Sequence, residues 1–474
     1  MSIWTSPGSC RTLPGMSHWP LTSEDVTRPA YRSVAQGIVA AISSGQLRPG
    51  DRLPAHRELA WQLGISVQTV SRAYEELIRA DMISGEVGRG SFVKSGMRET
   101  VNLPWHRTRE SPPRLDLSLM TPVHLPQVAD AWRSTMRRIA ENPPHETMFA
   151  LRPGETLARY DAAASGWLAR CGLIAQPGRT LVTNGVTPAM FVALMTVARH
   201  GDVIACEAAT SHALKPAARQ LGLRLQGIAQ DARGMLPEAL AEAAAASAGR
   251  MKAVYLLPSG AGPYAHVMDR ERRAALAQAA SAAGLFILEC DPLGPLAPRR
   301  PPPLASFAPE RSFYFTGLTK CLSPGLRFGI LAMPDHLSER TVNRHLSVSW
   351  MATPIIAEIA ADWMESGVAD ALLQAHRKEL VARNRLVQRF LGGEGGGFAY
   401  ALHRWLLLPE GLSERAFQRQ ALRNGVAVAT GANFAVTDRR PAVRVCLGGL
   451  GRGDLEQALG ILAALLPAPA QPQG

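Results

Sequence analysis

Lysine is nearly absent from this chain: only five of its 51 cationic side chains are lysines, and the rest are arginines. Arginine excess of that kind follows genome composition, so the net charge of +12 carries little functional weight. Up to residue 110 there are 13 Lys and Arg against 10 Asp and Glu, which excludes a polycationic arm. If the N-terminal region binds nucleic acid, it does so through placed arginines and not through bulk charge. Paired cysteines are also missing. The six, at 10, 171, 206, 290, 321 and 446, form no Cys-x-x-Cys. That argues against a structural zinc site and a disulfide framework, and for a reducing, cytoplasmic setting. No apolar run reaches the roughly 18 residues of a membrane helix. No long apolar stretch opens the chain either, so no secretory signal and no membrane partner are expected. What remains is 474 residues, 46% hydrophobic and 19% charged, enough for two or three domains with a large core.

Residues 1–27 are rich in Gly, Ser, Pro and Thr without periodicity and read as a disordered leader holding Trp4 and Trp19. A helix follows near Pro29, with Val34, Ile38, Ala41 and Ile42 on one face. Gly45 stops it and Pro49-Gly50 turns the chain. His56–Leu63 reads as a short helix ended by Gly64, and Ser66 as the N-cap of the next, whose stripe is Val67, Val70, Tyr74 and Leu77. Two short helices joined by Gly64-Ile65-Ser66 are helix-turn-helix geometry, with the second helix fit for the major groove. Met82–Val93 reads as two strands around Gly88-Arg89-Gly90, a wing with an arginine at its tip. A plain three-helix bundle would show the same stripe.

Residues 95–114 are polar and proline-containing and read as a linker. From Leu115 onward, apolar runs at Val203–Cys206, Leu223–Ile228, Ala253–Leu257, Leu285–Glu289, Ser312–Thr316 and Phe328–Met333 alternate with Ala/Leu-rich helical stretches. That pattern predicts an α/β sheet covered by helices on both faces, with ligands at the C-terminal strand ends. A smaller α+β lobe is expected over about 355–468, and 469–474 as a tail.

One stretch organises the large region. Phe313–Phe315 ends in Thr316-Gly317; then come Thr319, Lys320, the turn Pro324-Gly325, Arg327 and a second apolar run. An amine at the mouth of buried strands loses hydration, so its pKa falls and it becomes a usable nucleophile toward an aldehyde. An arginine seven residues on offers a planar fork for a phosphate. Amine and phosphate clamp together suit pyridoxal phosphate (PLP). A surface lysine in a turn would show the same spacing.

The order of residues goes further than the spacing. Thr319-Lys320-Cys321-Leu322-Ser323-Pro324-Gly325-Leu326-Arg327-Phe328-Gly329 resembles the lysine segment of fold-type I aminotransferases. It is equally similar to the aminotransferase-like half of the MocR/PdxR class of GntR-type bacterial transcription regulators. In the N-terminal region, Leu47-x-Pro49-Gly50-x-Arg52-Leu53-Pro54, Arg57-x-Leu59-Ala60, Leu63-Gly64-Ile65-Ser66, Thr69-Val70-x-Arg72-Ala73-Tyr74-x-x-Leu77 and Gly88-x-Gly90-x-Phe92-Val93 resemble the GntR winged helix. The resemblance implies a winged helix over 28–94 binding double-stranded operator DNA through Arg52, Arg57, Ser66, Gln68, Thr69, Arg72 and Arg89. One departure stands at the recognition helix, where the family's arginine is Val67, followed by Gln68, whose amide suits adenine.

For 115–468 the resemblance implies a PLP-dependent fold-type I domain. Lys320 is its aldehyde-bonding lysine, Arg327 a phosphate ligand beside Thr319, and Gly185, Val186 and Thr187 the phosphate cup. A Gly-containing turn at a helix N-terminus offers free N–H groups to a phosphate, though an ordinary helix start looks the same. Arg444 matches the arginine that pairs with an effector carboxylate through a bidentate fork. The resemblance also implies a homodimer and a small-molecule effector. Three ring-facing positions depart from the family. Glu289-Cys290-Asp291-Pro292-Leu293 puts a thiol where the carboxylate facing the pyridine nitrogen belongs, and Leu293 or Pro292 at the ring-hydroxyl tyrosine. Asp291 replaces that carboxylate only through a one-residue shift, which turns its side chain to the other face. Ser211 stands at the ring-stacking aromatic, with His212 beside it, and Pro258–Ala265 lacks the family's side-chain amide. The expectation is a regulator sensing PLP or an amino-acid-like effector. A degenerate sensor with weak or lost PLP is the alternative, and a working aminotransferase lacks its pyridine carboxylate.

Overall fold

The structure is a computed structural model and describes residues 21–44, 46–47, 50–79, 82–86, 90–93, 114–151, 153–176, 178–392, 397–437 and 440–466. The chain divides into two compact units, 1–106 and 107–474. Trp4, Trp19, Gly88, Arg89 and the linker, save Arg114, lie outside the described residues.

In the first unit, helices α1 (Ala30–Ser44), α2 (His56–Leu63) and α3 (Val67–Arg79) precede an antiparallel pair, β1 (Ile83–Glu86) and β2 (Gly90–Val93). Of the expected stripes, Val34, Ile38, Ala41, Val70, Tyr74 and Leu77 are buried, together with Leu47, Leu53, Leu59, Leu63, Ile83 and Val93; Ile42 is partly buried, and Val67 turns out to solvent. Gly64 ends α2 in the left-handed region (φ 65°), with its N–H donating to the Ala60 and Trp61 carbonyls. The disordered leader expected over 1–27 does not extend to residues 21–27. Ser23–Asp25 form a single 3-10 turn, and Leu21 and Val26 pack against the core. The reason is local: Gly37 of α1 has no side chain, and a Cβ there would fall 2.3 Å from Leu21.

The second unit is built on a seven-stranded sheet of β4 (Thr180–Thr183), β5 (Val203–Glu207), β6 (Arg224–Ile228), β7 (Met251–Leu256), β8 (Phe286–Asp291), β9 (Ser312–Gly317) and β10 (Gly329–Ala332). The order is β4-β10-β9-β8-β7-β5-β6, with β10 antiparallel to both neighbours and the other pairs parallel. Near-continuous burial along the strands reflects helices on both faces. On one face α4 (Val186–Val197) packs with Cys206, Tyr255, Cys290 and Phe315. On the other, Trp167, Tyr314, Leu318 and Phe328 pack with α5 (Pro354–Glu365) and α6 (Val368–Leu391). A smaller sheet joins β11 (His403–Leu407), β12 (Ala429–Thr430) and β13 (Ala442–Cys446) in the order β11-β13-β12. Residues 115–121 cross onto this lobe as a strap. Leu115 and Asp116 pair in parallel with Val426 and Ala427, and the Cys446 N–H donates to the Leu117 carbonyl at 2.9 Å.

Candidate functional site

The strand ends expected to bind a ligand bring Gly185 and Arg327 together. β4 runs out through Asn184 into Gly185 (φ 94°), the residue before α4. A Cβ on Gly185 would lie 3.4 Å from the Arg327 guanidinium, and one on Gly329 would lie 2.6 Å from the Gly185 backbone. Glycine at both places therefore lets the cup turn sit directly under Arg327. The cup offers fewer donors than the spacing implies. The Gly185 N–H is already bonded to the Thr183 carbonyl at 2.8 Å, which leaves the first-turn N–H groups of Val186 and Thr187, with no capping side chain between them. Asn184 turns away, accepting from the Thr353 N–H at 2.8 Å and donating to the Met351 carbonyl at 3.3 Å.

Lys320 follows β9 and donates from Nζ to the Met120 carbonyl of the strap. Its pKa is pushed down to about 8, first by burial, then by the Arg444 guanidinium and more weakly by Arg327, with the Cys446 sulfur opposing. Lys320, Arg327 and Arg444 thus share one electrostatic neighbourhood, reached from two distant stretches of sequence. The Thr319 hydroxyl is spent closing the turn, donating to the Leu326 carbonyl at 3.2 Å.

Arg444 projects from the middle of β13. It is buried, donates from Nη2 to the Ser118 carbonyl of the strap at 3.0 Å, and stacks over the Phe434 ring at 4.6 Å. Its Nε has no hydrogen-bond partner, and among the described residues it pairs with no carboxylate. His212 meets the same Phe434 ring edge-on at 6.2 Å. Burial, Arg444 and Lys320 push its pKa down to about 3, so the imidazole is neutral.

The ring-facing positions resolve by strand parity. β8 pairs with β9 without a bulge, Cys290 opposite Phe315 and Asp291 opposite Thr316. Cys290 therefore faces the α4 side, among Tyr255, Cys206 and Phe315. Asp291 corrects the assignment that placed it at the cofactor. Its carboxylate is on the opposite face, ion-paired with Arg300 and accepting from the Tyr314 hydroxyl at 2.6 Å. Arg300 and buried Arg273 both also donate to the Ser259 hydroxyl, so Asp291 helps brace the 258–265 loop from behind. Ser211 is close enough to the Tyr255 phenol to act on it, and Tyr255 packs with Cys290 on the α4 side. Leu293 is buried in the opposite core cluster and supplies no ring contact. Tyr255, Phe434 and the strap carbonyls of Ser118 and Met120 were not read from the sequence. Only a tyrosine in the middle of an apolar strand, Ala253–Leu257, signalled one of them.

A PLP molecule would find a fitting phosphate and aldehyde end here: the glycine cradle, two helix N–H groups, Arg327 and an amine of lowered pKa. At the ring-nitrogen end, the position of the family's carboxylate holds the Cys290 thiol.

In the first unit, Arg52, Arg57, Gln68 and Arg72 are exposed. Arg57 and Gln68 stand on α2 and at the start of α3. The Arg72 guanidinium stacks over Tyr31 of α1 at 4.1 Å. Arg52 lies against Gly90 of the wing, where a Cβ would be 3.1 Å from its Nε. Ser66 and Thr69 serve the helix first. Ser66 Oγ accepts the Thr69 N–H at 3.1 Å, and the two hydroxyls bond each other at 2.8 Å. Val67, at the family's arginine position, is 43% exposed.

Comparison with known proteins gives these geometries a family. Residues 30–93 match the model of the bacterial regulatory proteins, gntR family. An uncharacterised HTH-type transcriptional regulator, YdeF, of Bacillus subtilis is 30% identical over 459 residues, covering 94% of this chain and 96% of that protein. The HTH-type pyridoxine biosynthesis transcriptional regulator PdxR of Corynebacterium glutamicum is 26% identical over 374 residues, 76% of this chain and 78% of its own. Among solved structures, the kynurenine aminotransferase of Pyrococcus horikoshii superposes with a TM-score of 0.68 at 20% identity, over 75% of this chain and 91% of that one. An archaeal alanine:glyoxylate aminotransferase gives 0.68 at 22%, over 74% and 90%. At such identities the likeness speaks for the fold, which is the PLP-binding fold type I. Matched along nearly the whole length of a related regulator, the chain belongs to the GntR-family HTH-type transcriptional regulators of MocR/PdxR type, a winged helix joined to an aminotransferase-like domain.

Proposed function

We propose that the aminotransferase-like unit is a sensor that takes PLP, an amino-acid-like effector, or both, and that its occupancy controls operator binding by the winged helix in a homodimer. The observation that carries this reading is Arg444: a buried guanidinium with an unpartnered Nε, beside an amine of lowered pKa and without a carboxylate of its own among the described residues. A buried charge held that way is costly unless an anion arrives to pair with it. An effector carboxylate supplies that anion through a two-pronged hydrogen bond. Lys320, Arg327, Val186 and Thr187 would hold PLP by its aldehyde and phosphate, with Gly185 giving it room. When bound, PLP supplies a carbonyl that captures amines. Arg52, Arg57, Gln68 and Arg72 would face the duplex, the arginines on phosphate and Gln68 on a base edge.

The test is operator binding by the full chain on its own promoter region, with and without PLP. Arg57→Ala with Arg72→Ala should weaken binding at least tenfold at moderate salt. Lys320→Ala should keep basal binding and lose any response to PLP together with the visible or near-UV band of bound PLP. Unchanged affinity in the double variant defeats the assigned DNA-binding face. A response that survives Lys320→Ala defeats the sensing site.

A further inference from the structure

We propose that Cys290, Tyr255 and Ser211 form a non-ionic seat for the pyridine ring, so that the pocket keeps PLP with an unprotonated ring nitrogen, as a ligand and not as a working catalyst. This rests on the reading that PLP binds at Lys320 and Arg327.

Three observations converge. The first is placement. Cys290 is the last side chain of β8 to emerge on the α4 side, the side whose helix start makes the phosphate cup under Arg327. PLP carries its phosphate and its ring nitrogen at opposite ends, so a phosphate in the cup presents the nitrogen to the strand-end side chains. The second is that this group has no charge to offer. Tyr255 and Cys290 are buried in one cluster on the α4 side, and half-buried Ser211 lies close enough to act on the Tyr255 phenol. Burial pushes the Cys290 thiol up to about 12 and the Tyr255 phenol well above its usual range, so both stay neutral. The third is that, among the described residues, no anion stands in for the missing carboxylate. Asp291 lies on the far face, consumed by Arg300 and Tyr314. Glu207, at the end of β5, is pushed up to about 8 by burial and keeps its proton at neutral pH.

Two guanidiniums, those of Arg444 and Arg327, already act on the Lys320 amine, with the Cys446 sulfur opposing. A ring proton would add another cation beside them, facing a thiol and two hydroxyls. Desolvation and like charge both disfavour it, so the free base is the stable form. Withdrawal of electrons into the ring, which a protonated nitrogen drives, is then weak. The pocket can retain an amino-acid-like ligand without converting it.

The experiment loads the full-length protein with ring-15N-labelled PLP and records the nitrogen signal at neutral pH for the wild type, Cys290→Ser and Cys290→Asp. Wild type and Cys290→Ser should both show the free-base pyridine position. Cys290→Asp should move to the pyridinium position and convert bound PLP to its amine form with added amino acids far faster than the wild type. A pyridinium signal in the wild type overturns this inference while leaving PLP sensing intact. An unmoved signal in a folded, PLP-loaded Cys290→Asp also overturns it. If Cys290→Asp does not fold, the wild-type and Cys290→Ser signals decide. A wild type that retains no PLP after removal of excess defeats PLP sensing and this inference together.

Discussion

At the scale of single residues, the scarcity of lysine and the abundance of arginine meet in one pocket. Lys320 is held near neutrality by burial and by Arg444, so the fraction of free amine climbs steeply with pH below its pKa of about 8 and saturates above it. The rate at which the apoprotein captures PLP should therefore rise about tenfold per pH unit from 6 to 7.5 and level off beyond about 8.5, given a nucleophile that reacts only when unprotonated. Stopped-flow absorbance would show this, and an inflection near the ordinary lysine value would mean that the amine is not in this setting. Much of this was legible in order and spacing: Lys320, Arg327, Gly185 and Arg444 are found by motif because their chemistry tolerates few substitutes. The departure at Cys290 was legible too, since strand parity fixes which side chain faces the ligand. Tyr255 and Phe434 were not, because a ring lining a pocket and a ring filling a core look alike in sequence. The strap carbonyls were not legible at all, because backbone carries no residue signature.

At the scale of elements, the winged helix shows local and tertiary signals agreeing. Gly64 stops α2 and Ser66 starts α3 as their residue types require. Ser66→Ala should remove about 1 kcal/mol from α3, the ordinary worth of an N-cap. Amide exchange in the first turn of α3 should then speed about fivefold, while the second unit is unchanged; equal protection would mean the Thr69 hydroxyl caps in its place. Every apolar run read as a strand in the large unit is a strand, with ends shifted by a residue or two. Edge strand β4, only Thr180–Thr183, escaped notice because four residues before a helix give too few alternations to count. The leader was drawn too long for a related reason. Leu21 and Val26 are two isolated apolar residues in a polar stretch, and their partner is a gap left by a glycine on another element.

At the scale of the molecule, the second unit exposes more apolar surface than its composition requires. Met148, Phe149, Leu151 and Trp350 are 57%, 71%, 74% and 52% exposed, and the Trp350 Nε1–H donates to the Leu151 carbonyl at 3.0 Å. The segment carrying Trp350 is tied through Thr353 to Asn184, next to the cup. Contiguous apolar side chains of this size mark an association surface. We expect it to hold a second copy of the chain, so the unaltered protein should be a dimer by light scattering and Phe149→Glu with Trp350→Glu a monomer. The strap gives the molecule a second property at this scale. Two of its carbonyls, at Ser118 and Met120, accept from Arg444 and Lys320, the same donors an incoming carboxylate and aldehyde would claim. A visitor that engages both must therefore compete with the chain's own backbone for them.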